Sequence, residues 1–365
     1  MVKQRPSLLD VLARGWPLLA AVALVLTWGR TLPTWLVAVV ALVLAGAVLS
    51  AVHHAEVVAH RVGEPFGSLV LAVAVTIIEV ALIVTLMISG GENSSSLARD
   101  TVFAAAMITM NGILGLSLLI GARRYHLVNF NAEGTGGALA TVTALATLSL
   151  VVPTFTTSHP GPQFSGPQLV FAACASLFLY GSFVLTQTVR HRDFFLPVTA
   201  SGELAEQDHA EPPTPKATWT SVGLLLVALV AVVGLAKVES PAIEAGVRAA
   251  GYPLSFVGVV IAMLVLLPES LAAARAAGRN RIQISINLAL GSAMASIGLT
   301  IPAIAIASIW LDGPLLLGLG ATQTVLLALT IVVSVLTVVP GRATRLQATV
   351  HLILFGAFIF LSIKP

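Results

Sequence analysis

Apolar runs of bilayer-crossing length follow one another along this chain, separated by short polar breaks. A spanning helix needs about 20 apolar residues, because the hydrocarbon core is about 30 Å thick and a helix rises about 1.5 Å per residue. On that measure the pattern predicts eleven spans, at 15–29, 33–52, 66–89, 100–121, 137–155, 167–189, 218–237, 254–274, 283–310, 314–339 and 346–363. The pattern breaks most clearly at 190–217, where Asp193, Glu203, Glu206, Asp208 and Glu211 are followed by Pro212, Pro213 and Pro215. Such a segment cannot bury enough apolar surface to pack, and it reads as an acidic linker.

Five spans lie between residue 33 and this linker, and five follow it. The expected organisation is therefore an N-terminal segment with one extra helix (1–32), a five-helix repeat (33–189), the linker (190–217) and a second five-helix repeat (218–365). Five is odd, so the halves are expected to cross the membrane in opposite senses, as the inverted repeats of many secondary transporters do. The predicted fold class is all-α and polytopic.

Composition agrees with this and removes alternatives. The chain is 57% hydrophobic and 10% charged, with a mean hydropathy of +0.97; soluble domains carry about 25% charged residues. A sequence pI near 9.4 would suit a nucleic-acid binder, but the basic residues are scattered through short loops. Of the 19 Lys and Arg, only Arg30, Arg99, Lys237, Arg248 and Lys364 fall on one side of the expected spans. Basic residues collect on the cytoplasmic side, which places the N-terminus inside and the C-terminus outside. The linker is then cytoplasmic, either a plain connector or a collector of cations. The apolar run near Lys3, Arg5 and Arg14 closes without an A-x-A-like cleavage site and is read as mature structure. Cys174 is the single cysteine and has no intrachain partner. The expected partners are the lipid bilayer and inorganic ions, with no nucleic acid and no bound cofactor.

Against this background the buried acids stand out. The run 63–91, GEPFGSLVLAVAVTIIEVALIVTLMISGG, holds Glu79 deep in its apolar stretch. A carboxylate at bilayer depth costs about 2.5–3.5 kcal/mol on insertion scales, whereas Leu or Val would pack without that cost. Glu269 occupies the second span of the other half, SFVGVVIAMLVLLPESLAAARAAG, so each of these acids is the single one in its expected span. A pseudo-two-fold axis between the halves would bring both carboxylates to one cation- or proton-binding site. Pro268 has no N–H for the carbonyl of Leu264, so a kink and a freed main-chain oxygen are expected there. Thr76, Asn111, Ser292 and Ser296 are the hydroxyls and amide expected near these carboxylates. Small residues beside them, such as Gly112, Gly115, Gly291 and Gly298, serve helix packing equally well.

A second polar cluster, His53, His54, Glu56, His60 and Glu64, closes the second span. Glu56, His60 and Glu64 share one helix face at four-residue spacing. His54, Glu56, His60 and Glu64 are expected at the cytoplasmic helix end, where they would form an access path or gate for cations and protons. A transition-metal site is the rarer alternative.

The segments GEPFGSLVLAVAVTIIEVALI and LLPESLAAARAAGRNRIQISINLALGSAMASIGLTIP, together with HHAEVVAHRVGEPFG at 53–67, resemble the repeat motifs of bacterial ChaA-type cation/proton antiporters. These belong to the calcium:cation antiporter superfamily, and the resemblance covers nearly the whole chain. It implies an inner-membrane exchanger of Ca²⁺, Na⁺ or K⁺ against H⁺, with ion-carrying carboxylates at Glu79 and Glu269. Vacuolar-type relatives carry Gly-Asn-Ala-x-Glu at both sites; here Val75-Thr76-Ile77-Ile78-Glu79 and Val265-Leu266-Leu267-Pro268-Glu269 lack the glycine and asparagine. Their Gly-Ser-Ser-Ile-Gln becomes Gly291-Ser292-Ala293-Met294-Ala295. Ca²⁺ takes 6–8 oxygen ligands, so with fewer side-chain oxygens a monovalent or mixed specificity is expected. The competing readings are a cation channel without proton coupling and an intramembrane enzyme. The chain has neither an HExxH zinc motif nor a G-x-S-x-G elbow, and the expectation is a transporter.

Overall fold

A computed structural model describes residues 8–63, 66–89, 95–196, 213–310 and 313–365. Helix dominates. In chain order the helices are α1 (Leu8–Thr27), α2 (Thr34–Val62), α3 (Phe66–Ser89), α4 (Leu97–Met107), α5 (Leu114–Tyr125), α6 (Ala132–Ala146), α7 (Val152–Phe155) and α8 (Gly166–Leu185). There follow α9 (Pro215–Ala249), α10 (Phe256–Val265), α11 (Leu267–Gly278), α12 (Ile282–Ala307), α13 (Ala321–Val338) and α14 (Arg345–Ile363). Short π-helical turns at Ile108–Ile113, Thr147–Val151 and Thr186–Arg190 continue α4, α6 and α8 without a break in the rod. Two short strands, β1 (Val128–Asn129) and β2 (Arg342–Ala343), pair antiparallel.

Among the described residues, eight helices are long and apolar enough to cross a membrane, or nine when the bent pair α10 and α11 is counted as one span. Two shorter apolar stretches, Ala13–Thr27 and Val70–Thr85, lie in α1 and α3, so eight or nine spans of full length stand where eleven were expected. The protein is a multi-pass membrane protein. Exposed large apolar side chains such as Trp35, Leu42, Phe171, Phe178 and Ile353 are what a lipid-facing surface requires.

Several expected boundaries move. The second span was expected to end at residue 52, but α2 runs to Val62 and carries the histidine cluster in its last turns. The seventh was expected to end at residue 237, but α9 continues to Ala249. Polar residues do not stop a helix by themselves; α9 passes through Lys237-Val238-Glu239-Ser240 and tolerates Pro241. The tenth was expected from 314, but α13 begins at Ala321, after an extended segment that hydrogen-bonds elsewhere.

The chain forms two compact units. One comprises Met1–Ser89 with Ala210–Gly246, the other Gly90–His209 with Val247–Pro365. In the first, Pro17 lies inside α1 and cannot donate to the carbonyl of Ala13 four residues back. That carbonyl accepts instead from Ser50 Oγ at 2.6 Å and from His54 Nε2 at 3.0 Å, tying α2 to α1. Gly46 leaves room for the Trp16 indole, whose Nε1 donates to the Val43 carbonyl at 3.0 Å.

The second unit is built around α12, which packs against α4, α5, α6, α8 and α11 and buries most of its residues. A Cβ on Gly258 would lie 2.9 Å from the backbone of Asp100 and Thr101, so glycine is what permits α10 to approach α4 so closely. At the start of α4, Asp100 accepts from Arg99 Nη2 at 2.8 Å and from Ser96 Oγ at 2.9 Å. Arg99 Nη1 also donates to the Gly318 carbonyl at 3.1 Å, which pins the extended segment before α13.

Candidate ion-binding site

Glu79 lies in the middle of α3 and is 4% exposed. Thr76, one turn earlier, is 7% exposed, and Ile78, Leu82 and Ile83 are buried beside them. Ile77 and Val73 are exposed. One stripe of α3 thus faces protein and carries the acid, while the opposite stripe suits lipid, which is how an intramembrane carboxylate is tolerated.

Glu269 is presented differently. The helix breaks at Leu266, and α10 and α11 meet at a bend of 54°. Pro268 sits in the first turn of α11, where a missing N–H costs nothing, and Glu269 follows it in the same turn. A helix N-terminus carries a partial positive charge and favours an ionised carboxylate; the end of α10 faces the same break with carbonyl oxygens, which favour a cation. Glu269 is half-buried, and its Oε2 is sealed from solvent. Ser270 Oγ donates to the Leu266 carbonyl at 2.7 Å, satisfying part of the broken backbone. Leu264 lies two residues before the break and is half-buried. The kink expected from Pro268 is present, but the Leu264 carbonyl expected to be freed accepts from the Leu266 N–H.

The other expected neighbours divide. Ser296 is buried and Ser292 half-buried on α12. Ser285, on the same helix, donates to the Ala273 carbonyl at 2.9 Å and accepts from Ser117 Oγ at 2.6 Å, and so joins α12 to α5 and α11. Asn111 sits inside the π-helical turn Ile108–Ile113 with no exposure. Its Nδ2 donates to Thr330 Oγ1 at 2.9 Å, and its Oδ1 accepts from His351 Nδ1 at 3.1 Å. With Nδ1 carrying the proton of a neutral ring, His351 Nε2 accepts from Thr337 Oγ1 at 3.2 Å. Asn111 therefore spends both ends of its amide on α13 and α14.

The histidine cluster is also split. His54 is buried; its Nε2 donates to Ala13, so its Nδ1 accepts from Ser221 Oγ of α9 at 3.2 Å. It ties three helices of the first unit together. Glu56 and His60 are exposed on another face of α2, and Glu64 lies outside the described residues. Among the described residues, no three His, Cys, Asp or Glu side chains gather into a metal-ligand set.

Sequence reasoning overlooked two buried groups. His351 lies in the apolar run ATVHLILFGAFIF, the same signal that singles out Glu79. Glu239 falls just beyond the expected end of its span, and only the full length of α9 brings it into a helix interior.

The profile of the sodium/calcium exchanger protein family matches residues 32–189 and 220–364. The chain is 46% identical over 356 residues to a putative ionic transporter, y4hA, of Sinorhizobium fredii, covering 96% of this chain and 95% of that one. It is 35% identical over 352 residues to the sodium-potassium/proton antiporter ChaA of Escherichia coli, covering 94% of each. In fold it is similar to native YfkE, with a TM-score of 0.71 at 15% identity over 97% of this chain and 99% of that one. It is also similar to the H⁺/Ca²⁺ exchanger CAX, with a TM-score of 0.70 at 16% identity over 96% and 87%. Matched over both halves by one family and over nearly its whole length by these relatives, the chain belongs to the sodium/calcium exchanger family.

Proposed function

We propose that this protein is a secondary active antiporter of the bacterial cytoplasmic membrane, exporting Ca²⁺, Na⁺ or K⁺ in exchange for H⁺. Its family is one of exchangers, and it is a transporter, not an enzyme. The observation that carries the reading is Glu269 in the first turn after the broken span, its Oε2 sealed from solvent, with Glu79 as the buried acid of α3. The names of the relatives support it: ChaA is a sodium-potassium/proton antiporter and CAX an H⁺/Ca²⁺ exchanger.

In this reading the two carboxylates share one ion site near the membrane midplane, supported by their equivalent places in the two halves of the sequence. Two nearby carboxylates in a low dielectric resist double ionisation, because desolvation and like charge both raise their proton affinity. A metal cation offsets that repulsion and displaces the protons. Two protons per Ca²⁺ leave the site equally neutral, whereas Na⁺ or K⁺ changes the count. Thr76, Ser292 and Ser296 add oxygen ligands, and the break beside Leu264 adds main-chain carbonyls. Asn111 contributes by holding the turn of α4 rather than through a free amide. Exposed Glu56 and His60 line the cytoplasmic approach. The N-terminus is cytoplasmic and the C-terminus outside, on the distribution of Lys and Arg. Cation-driven proton release in everted vesicles tests the reading, and its absence for Ca²⁺, Na⁺ and K⁺ alike would overturn it.

A further inference from the structure

We propose that Glu239 of α9 is an additional proton-binding site of the exchange cycle, an inference that rests on the antiport reading above. Glu239 is 1% exposed and Ser240 has no exposure. Glu239 Oε1 and Ser240 Oγ are both sealed from solvent and have no hydrogen-bond partner among the described residues. The preceding turns of the same helix bury Ala231, Val232, Leu235 and Ala236. An ionised carboxylate with a bare oxygen in such surroundings carries an uncompensated charge, among the costliest arrangements in a protein interior. The neutral acid removes that charge, so in this conformation Glu239 holds its proton.

Among the described residues, no ion pair to Glu239 is formed. Lys237, two residues earlier, is exposed and lies over the ring of Trp28, just past the end of α1, at 5.3 Å, so its ammonium points to another side of α9. Glu244 and Arg248 come one to three turns later and are half-buried and exposed. Within this unit α1 meets α9 where Leu24 lies against Gly234, and α2 meets it through His54 and Ser221. In α1 the ionisable groups are Asp10 and Arg14, in its first half, with Arg30 just beyond its end. In α2 they are His53, His54, Glu56, His60 and Arg61. His54 bonds Ser221, eighteen residues before Glu239, so that end of α2 lies about 27 Å away along α9. The remaining acid of the unit's described helices is Glu79, in α3.

The step is a simple ionisation: when a conformational change brings water to this face of α9, the O–H bond breaks and water takes the proton. Protonation of Glu239 is thereby linked to the conformation that buries it. A proton is carried by a helix other than the two that hold Glu79 and Glu269.

The test uses the full-length protein in proteoliposomes, with Glu239→Gln to fix the neutral form and Glu239→Asp to restore a titrating group. Proton-driven uptake of ⁴⁵Ca²⁺ and ²²Na⁺ is compared with cation self-exchange at equal pH, which moves no proton. Glu239→Gln is expected to lower proton-driven uptake by about tenfold or more, with self-exchange kept within about twofold, and Glu239→Asp to recover much of the loss. Equal loss of both modes, or loss of neither, overturns the proposal. Infrared spectra of the same samples give a readout independent of transport: wild type should show a protonated carboxyl band that Glu239→Gln removes. If Glu239→Gln fails to insert, a shift of that band in Glu239→Asp serves instead. An unchanged band overturns the proposal even if the antiport reading stands, and a band that disappears supports the buried proton even if no flux is found.

Discussion

An acid in an apolar helix is visible in a sequence because nothing about packing asks for it. Glu79 and Glu269 could be read directly from the chain for that reason. Glu239 could not, because the polar stretch Lys237–Ser240 looks like a span end, and only the continuous α9 places it inside a helix. His351 gave the same signal as Glu79, but its partners Asn111 and Thr337 stand on other helices, and Asn111 is 240 positions away. No local pattern shows that such a network closes. Two residue-level predictions follow from these surroundings. Glu79→Asp withdraws the carboxylate by about one carbon–carbon bond, roughly 1.5 Å, while Ca²⁺–oxygen distances are held to about 2.3–2.6 Å. Apparent affinity in everted vesicles should therefore fall more for Ca²⁺ than for Na⁺ or K⁺; equal losses would mean that Glu79 carries protons without ligating the cation. His54→Ala leaves Ser221 and one acceptor site of Ala13 without a partner in a buried joint. An unmade buried hydrogen bond costs about 1–3 kcal/mol, so the melting temperature in detergent should drop, with the transport pH profile unchanged.

At the scale of elements, the apolar pattern told where helices lie better than where they stop. Helix α2 runs ten residues past its expected end because His53, His54 and Glu56 are compatible with a helix that has one face in protein and another in water. The break before Glu269 was legible, since Pro268 removes an N–H whatever surrounds it. The π-helical turn that holds Asn111 was not, because one inserted residue in a helix leaves no compositional trace. Pro268→Ala tests whether the break matters to function. Alanine restores the missing donor and favours a continuous helix, so the variant should be as stable as wild type or more so. Its exchange rate should nevertheless fall by roughly tenfold, the equivalent of about 1.4 kcal/mol. Full activity in a stable Pro268→Ala protein would show that the bend is only a packing solution.

For the whole molecule, counting spans and basic residues yielded the class of protein, and the family match covers residues 32–189 and 220–364, leaving the acidic linker outside it. A run of like charges concentrates counter-ions near a site through its field alone. Deleting about 203–214 should then leave the maximal rate intact and at most weaken apparent affinity; loss of exchange in a well-inserted deletion protein would place the linker in the transport machinery. The grouping of α1, α2 and α3 with α9 into one compact unit was not legible. It depends on contacts between distant parts of the chain, such as His54 with Ser221, that hydropathy does not encode. The central claim is that protons and metal cations compete for carboxylates that include Glu269. Everted vesicles carrying wild type or Glu269→Gln, given Ca²⁺, Na⁺ and K⁺ in turn with proton release recorded, test it most directly. The account predicts release for at least one cation in wild type and none for any cation in Glu269→Gln at matched membrane levels. Release that persists in Glu269→Gln would contradict it.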